Sequence, residues 1–182
     1  MPKRTVDSRP GDEIRRKGAV VNGVDHIGLT VGRLERSIPF YRLLLGREPI
    51  FQQVVSDPHV AEIVGYEAIE LGIALFEIPG STTLLELLEY RAPAGTPFDM
   101  ETSNPGNVHV CLIVDDLDAE FARLSSAGVT FRSTAPVYAP RGAWKGSKAV
   151  YLRDPDGITI ELVELPPGGL SRDSRDSYGT PG

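Results

Sequence analysis

The chain repeats itself, and that repeat limits the available folds more than any other feature. Val24-Asp-His-Ile-Gly-Leu-Thr-Val31 and Asn107-Val-His-Val-Cys-Leu-Ile-Val114 are short runs of strand character, each with a histidine in third place. A helical pattern follows each run. In the first copy Leu34, Ile38, Tyr41 and Leu45 recur at helical spacing and Gly46 closes the pattern. In the second, Leu117, Phe121 and Leu124 repeat it, Gly128 closes it, and Asp115 or Asp116 is placed to cap its start. Pro39 fits the first helix only if it falls in the first turn, where its missing N–H is not needed.

Strand-like runs come next, each set ending in a hairpin. Ala74–Ile78 turns through Pro79-Gly-Ser-Thr82 into Thr83–Glu89, and Ala149–Arg153 turns through Asp154-Pro-Asp-Gly157 into Ile158–Glu164. The histidines His26 and His109 stand 83 residues apart, the closing glycines 82, and the glutamates Glu86 and Glu161 75. The order predicts an α+β fold of two tandem βαβββ modules that form a cupped mixed sheet. The first copy is longer, chiefly between Gly46 and Ala74, so residues 56–66 are expected to be an inserted loop that could act as a lid.

Each copy puts a histidine in its first strand and a glutamate in its last. Glu86 lies within Leu84-Leu-Glu-Leu-Leu88 and Glu161 within Ile160-Glu-Leu162, so both carboxylates sit in apolar strands, where burial is costly unless a cation or a donor compensates. A lone strand histidine is usually a core or surface residue. Four matching residues in two copies are a different matter, because a pseudo-two-fold axis can bring two imidazoles and two carboxylates to one point. Two nitrogens and two oxygens suit one divalent ion such as Zn, Ni, Co, Mn or Fe(II). Glu89 and Glu164, also repeated, lie three residues further on, hence on the opposite strand face, and are expected to face water.

Other residues are weaker candidates. Cys111 shares a strand face with His109 and reads as a buried, inert thiol; being the single cysteine, it cannot form an intrachain disulfide. His59 in the inserted loop is a candidate acid or base. Trp144 and Lys145, in a Gly-flanked loop before the final hairpin, are candidates for holding an anionic substrate group.

Charge and length bound the partners. A formal charge of −6 gives no basic footprint for nucleic acid or an anionic membrane, and the apolar runs are too short to span a bilayer. The polar first twenty residues lack the apolar middle of a signal peptide, so a cytoplasmic protein is the simplest reading. The expected organisation is an N-terminal tail at 1–21, modules at 22–95 and 107–165 joined by a linker at 96–106, and a tail rich in Gly, Pro, Ser and Asp at 166–182.

The segments Val24–Val31, Arg36–Gly46, Val108–Leu117 and Tyr151–Leu162 resemble the vicinal oxygen chelate superfamily, which includes glyoxalase I, methylmalonyl-CoA epimerase, extradiol dioxygenases and the fosfomycin and bleomycin resistance proteins. The resemblance covers nearly all of 22–165. It implies metal ligation by His26, Glu86, His109 and Glu161, with Glu86 and Glu161 also moving a proton next to a carbonyl while the metal holds substrate oxygens. Several glutathione-holding positions of glyoxalase I differ: Thr30 and Tyr90 replace an arginine and an asparagine, another arginine is lost near Pro105, and Lys145 alone matches an anion-binding lysine.

Three functions are consistent with this reading. The first is an isomerase or epimerase, or a related lyase, acting alpha to a carbonyl. The second is an extradiol-type Fe(II) dioxygenase, for which Glu86 would be a superfluous fourth ligand. The third is a non-enzymatic, drug-sequestering binder, which does not need four ligands. A homodimer is the usual assembly implied by the resemblance.

Overall fold

The computed structural model describes residues 21–170. Most of both expected tails lies outside the described residues. The first module runs β1 (His26–Thr30), α1 (Leu34–Leu45), β2 (Phe51–Val55), α2 (Pro58–Val64), β3 (Glu70–Glu77) and β4 (Leu84–Ala92). The second runs β5 (His109–Ile113), α3 (Leu117–Ser126), β6 (Val137–Tyr138), β7 (Lys148–Arg153) and β8 (Thr159–Glu164). This is an α+β fold of two tandem βαβββ modules. Hydrogen bonding divides it into two four-stranded sheets, β1-β4-β3-β2 and β5-β8-β7-β6, rather than one continuous cup.

The first strand of each module pairs parallel with its last, and the remaining pairs are antiparallel. A parallel neighbour requires a crossover, and α1 and α3 supply it over one face of each sheet. That face is the core. On β4, Leu85 and Leu87 point into it and are almost fully buried, which turns Glu86 to the other face; on β8, Ile160 and Leu162 do the same for Glu161.

Helix α1 buries Leu34, Ile38, Tyr41 and Leu45 as the spacing predicts, and Gly46 closes it at φ 64°, a backbone conformation natural to glycine. Pro39 departs from expectation, for it is the sixth residue of the helix and not in its first turn. Its absent N–H leaves the Glu35 carbonyl without a helical partner, but Glu35 and Pro39 are both exposed, so water can satisfy that oxygen. In α3 the cap is Asp116, which accepts from the Ala119 N–H at 2.9 Å.

Glu89 and Glu164 lie on the face opposite Glu86 and Glu161, as expected, but they do not simply face water. Glu89 accepts from the Leu34 N–H at 3.0 Å and Glu164 from the Leu117 N–H at 2.8 Å. Each satisfies an orphan donor in the first turn of its own module's helix and places negative charge at the positive end of the dipole. Residues 56–66 also differ from expectation, being a helix and not an open loop. Asp57 caps α2, and Ala61 packs with Ile69, Leu71, Ile73, Leu88 and Tyr90 on the sheet face away from the main core.

The modules share one core, in which Leu29, Tyr41, Phe76 and Leu87 meet Leu117, Leu152, Ile160 and Leu162. A buried polar link joins them. The Tyr41 hydroxyl donates to Asp154 Oδ2 at 3.0 Å, while Asp154 Oδ1 accepts from the Asp156 and Ile158 N–H groups at 2.9 and 2.7 Å. Burial raises the Asp154 carboxyl above the usual carboxylate range despite these donors, and raises the Tyr41 phenol well above its ordinary value. Arg36 pairs with Asp156, and Arg123 donates to the Leu43 carbonyl at 3.0 Å.

Candidate metal centre

The same strand register recurs in both modules. In the first, Gly28 on β1 lies opposite Glu86 on β4, and His26 stands two residues earlier on the same face. In the second, Cys111 on β5 lies opposite Glu161 on β8, and His109 stands two residues earlier. The result is two imidazole–carboxylate pairs: His26 Nε2 to Glu86 Oε2 at 3.4 Å and His109 Nε2 to Glu161 Oε2 at 3.1 Å. The carboxylates are half-buried and the imidazoles more open.

These separations suit a shared cation. Two N/O donors about 2.0–2.2 Å from one ion lie about 2.9–3.5 Å apart, depending on whether the geometry is octahedral or tetrahedral. The first pair also has an outer partner, because His26 Nδ1 is 2.9 Å from Asp25 Oδ2. A carboxylate on Nδ1 fixes the ring and its tautomer and leaves Nε2 to face an ion. The Asp25 contact is also the main reason the His26 imidazole is raised above its ordinary value.

The four residues are therefore assembled as two pairs. Among the described residues, no group of three or more His, Cys, Asp or Glu side chains stands close enough to hold a metal ion. Each module brings together one His–Glu pair.

Cys111 is exposed, not buried as the sequence suggested. Its thiol is nevertheless pushed up to about 12, by desolvation first and by the Glu161 carboxylate second, so it is neutral and a poor ligand near neutral pH. The reason is its place on an edge strand, where alternation puts it on the Glu161 face and not in the core. His59 sits in the first turn of α2, with Nδ1 2.6 Å from Asp57, and is largely exposed. Trp144 and Lys145 are exposed in their loop.

Two participants were missed from the sequence. Tyr151 on β7 lies directly across from Glu161, and its ring is 5.3 Å from that of His109. Counting back from the Asp154–Gly157 turn would have found it. Asp25 stood in plain view beside His26, but an exposed aspartate beside a strand histidine carries no signal until the ring orientation is known.

Tyr90 is on β4, four residues after Glu86 and on the same face, with its ring edge-on to Tyr66 at 6.0 Å. Desolvation first, then Tyr66 and Glu86, raise its phenol above the ordinary value. It lines a cavity of about 440 Å³ between the modules. Gly28 through Gly32, residues 94–98 after β4, Met100 and residues 106–108 just before β5 complete most of the wall. Thr30 and Tyr90, two of the positions at which the sequence departs from glyoxalase I, both face this space.

Two mixed sheets built by duplication, with one His–Glu pair at the same register in each, define a two-module protein of the oxygen-chelating kind. The family model described as "Glyoxalase/Bleomycin resistance protein/Dioxygenase superfamily" matches residues 23–162, and the chain belongs to that superfamily. It is 30% identical over 156 residues to a 2-epi-5-epi-valiolone epimerase of Actinomyces, covering 83% of this chain and 82% of that protein. It is 27% identical over 142 residues to an uncharacterized protein of Bacillus subtilis, covering 78% and 96%. Among solved structures, a glyoxalase family protein from Bacillus cereus matches with a TM-score of 0.71 at 20% identity, covering 81% of this chain and 97% of that one. At such identity the likeness speaks for the fold alone.

Proposed function

We propose that this chain is a divalent-metal-dependent isomerase of the epimerase type, which removes and returns a proton on a carbon next to a carbonyl. The observation that carries the proposal is the pair of His–Glu contacts, 3.4 and 3.1 Å, at one register in both modules. The similarity to an epimerase points to the same reaction type.

His26, Glu86, His109 and Glu161 would hold the cation. When bound, it supplies Lewis-acid stabilisation of negative charge on a substrate oxygen. The protein's own part is proton movement. Inverting a carbon alpha to a carbonyl needs a base on one face and an acid on the other, and Glu86 and Glu161 provide one carboxylate from each module. The carboxylates are partly shielded from water, and His26 is oriented by Asp25, so this half of the donor set is held in place before any ligand arrives.

The two half-sites would be joined by a second copy of the chain, the first module of one copy facing the second module of the other. Both histidine strands favour this arrangement. β1 and β5 are the outer strands of their sheets, and exposed Val24, Val108 and Ile113 lie along or beside them. Within one chain the modules are already committed to each other through the shared core and the link from α1 to the β7–β8 turn.

Elemental analysis of protein purified without added metal, combined with solvent-deuterium uptake into ring ketones, tests the reaction. Bound divalent metal with uptake that stops on chelation is expected. Iron together with oxygen consumption on a catechol would overturn the isomerase reading, and metal-free protein that binds ligands without exchange would replace it with a sequestering role.

A further inference from the structure

We propose that the cavity running from Gly28, the strand partner of Glu86, to Tyr90 receives an uncharged, hydroxyl-bearing ligand of single-ring size, selected by Thr30 and Tyr90. This inference rests on the preceding reading only in taking Glu86 as the reacting edge of the site. Everything else comes from the wall of the cavity.

That wall has no cation. Among the described residues no Lys, Arg or His side chain lines it, and its one charged group is the Asp156 carboxylate. Asp156 is engaged already, by the Arg36 guanidinium and by the Ser37 hydroxyl at 3.3 Å. The other arginines nearby are also taken. Arg153 donates to the Met100 and Gly157 carbonyls at 2.5 Å and to Thr159 at 2.8 Å, and Arg132 holds Glu101 through two contacts of 2.9 Å. A phosphate or carboxylate entering here would lose its hydration and meet a carboxylate, with no positive partner to compensate.

What the wall offers is apolar surface and neutral hydrogen-bonding groups. Phe98, Met100 and Val108 give the apolar part. Thr30 and Tyr90 add hydroxyls and Asn107 an amide, and a neutral phenol both donates and accepts. Thr30 and Gly28 share a strand face with His26, so a ligand on these groups lies along the strand that carries the histidine. At about 440 Å³ the cavity is near the small end of the roughly 300–1,000 Å³ usual for ligand pockets. It has room for one substituted ring and neither room nor charge for a nucleotide-bearing thioester.

Isothermal titration calorimetry on the full chain tests this with two ring ketones of similar size, uncharged 2-keto-myo-inositol and the carboxylate 3-dehydroshikimate. The uncharged ketone is expected to bind at least about tenfold more tightly, the factor set by an uncompensated buried charge. Tyr90→Phe and Thr30→Val keep the shape of the wall, and each should weaken ketone binding about 3- to 10-fold, as for one lost hydrogen bond. Far-ultraviolet circular dichroism checks that both variants fold. Equal or tighter binding of the carboxylate, no binding of the ketone, or ketone binding indifferent to both variants would overturn the assignment. Ketone binding that responds to the variants, without deuterium uptake, would leave the assignment standing and remove only the proton-transfer reading.

Discussion

The first module steadies its imidazole with a charge and the second with a ring. His26 leans on Asp25, while at the matching place before His109 stands Val108; His109 lies instead against Tyr151, whose counterpart across from Glu86 is Leu75. Opposite the two glutamates the first module has Gly28 and the second Cys111. The first module also carries α2 packed over the site-bearing face of its sheet, which the second lacks. The duplication kept the register and the His–Glu pair and let everything around them diverge. Under the proposed function, matched His–Glu pairs with asymmetric surroundings suit a reaction that must tell one face of a carbon from the other.

The sharpest way to break this comparison is to disable one half at a time. His26→Ala and His109→Ala should each abolish metal retention and turnover. If the two halves meet between copies, mixing the inactive variants after mild unfolding should restore about a quarter of wild-type activity, since half of randomly assorted dimers are mixed and each has one intact site. No recovery in the mixture, measured by turnover and metal content, would place both halves of the site within one chain.

Next in size is the outer contact present in only one half. Asp25→Ala should weaken metal affinity about 10- to 100-fold, the usual effect of losing an outer-shell partner. Val108→Ala, at the matching position, removes no partner of an imidazole and should have a much smaller effect. Competition with a chromophoric chelator reads both, and equal effects would show that the halves are held alike.

The third test concerns the link between modules, which is also one-sided. Tyr41 reaches Asp154, whereas Leu124, at the equivalent place in α3, is apolar. Tyr41→Phe should cost about 1–3 kcal/mol in denaturant unfolding, because a buried carboxylate loses a donor. The raised Asp154 carboxyl sets the pH sense. Its stabilising contribution is full below the ordinary aspartate value and is lost as pH rises through the raised folded value. Wild type should therefore lose stability relative to Asp154→Asn as pH rises from the acid range towards neutrality, and the Tyr41→Phe cost should be larger at neutral pH than in acid. A pH-independent difference would mean that the carboxyl does not titrate as its burial requires.

The smallest expected effect is at the helix starts, where the modules agree. Glu89→Ala and Glu164→Ala should each cost about 1 kcal/mol, the usual loss for removing a cap. Glu164 is shared with Lys148 at 3.4 Å and Glu89 with Arg91 at 3.3 Å, so thermal melts in high salt should narrow any difference between them.

The modules and the His–Glu pairs could be read from the sequence because they rest on period-two alternation and a repeat offset, both of which are linear properties of the chain. Leu85 and Leu87 had to share a face, and that fixed the direction of Glu86. What was not legible depends on contacts between distant segments. Nothing local announces that Glu89 will meet Leu34, that an edge strand will leave Cys111 exposed, or that the segment from Ala94 to Phe98 will wall a cavity. Pro39 shows the reverse error. Propensity forbade it in mid-helix, but exposure of the Glu35 carbonyl makes its presence tolerable.

The glutamate caps bear on the order in which the chain can consolidate during synthesis. The donor at Leu34 waits for an acceptor 55 residues later, and that at Leu117 for one 47 residues later. Each helix thus has a frayed start until its module's final strand has emerged, which couples crossover and sheet into one cooperative event. The first such event is complete at Glu89, before His109 has been made, whereas Tyr41 has no acceptor until Asp154 arrives. A nascent chain stalled between these points would hold one closed module with an exposed apolar helix face, a natural target for a chaperone.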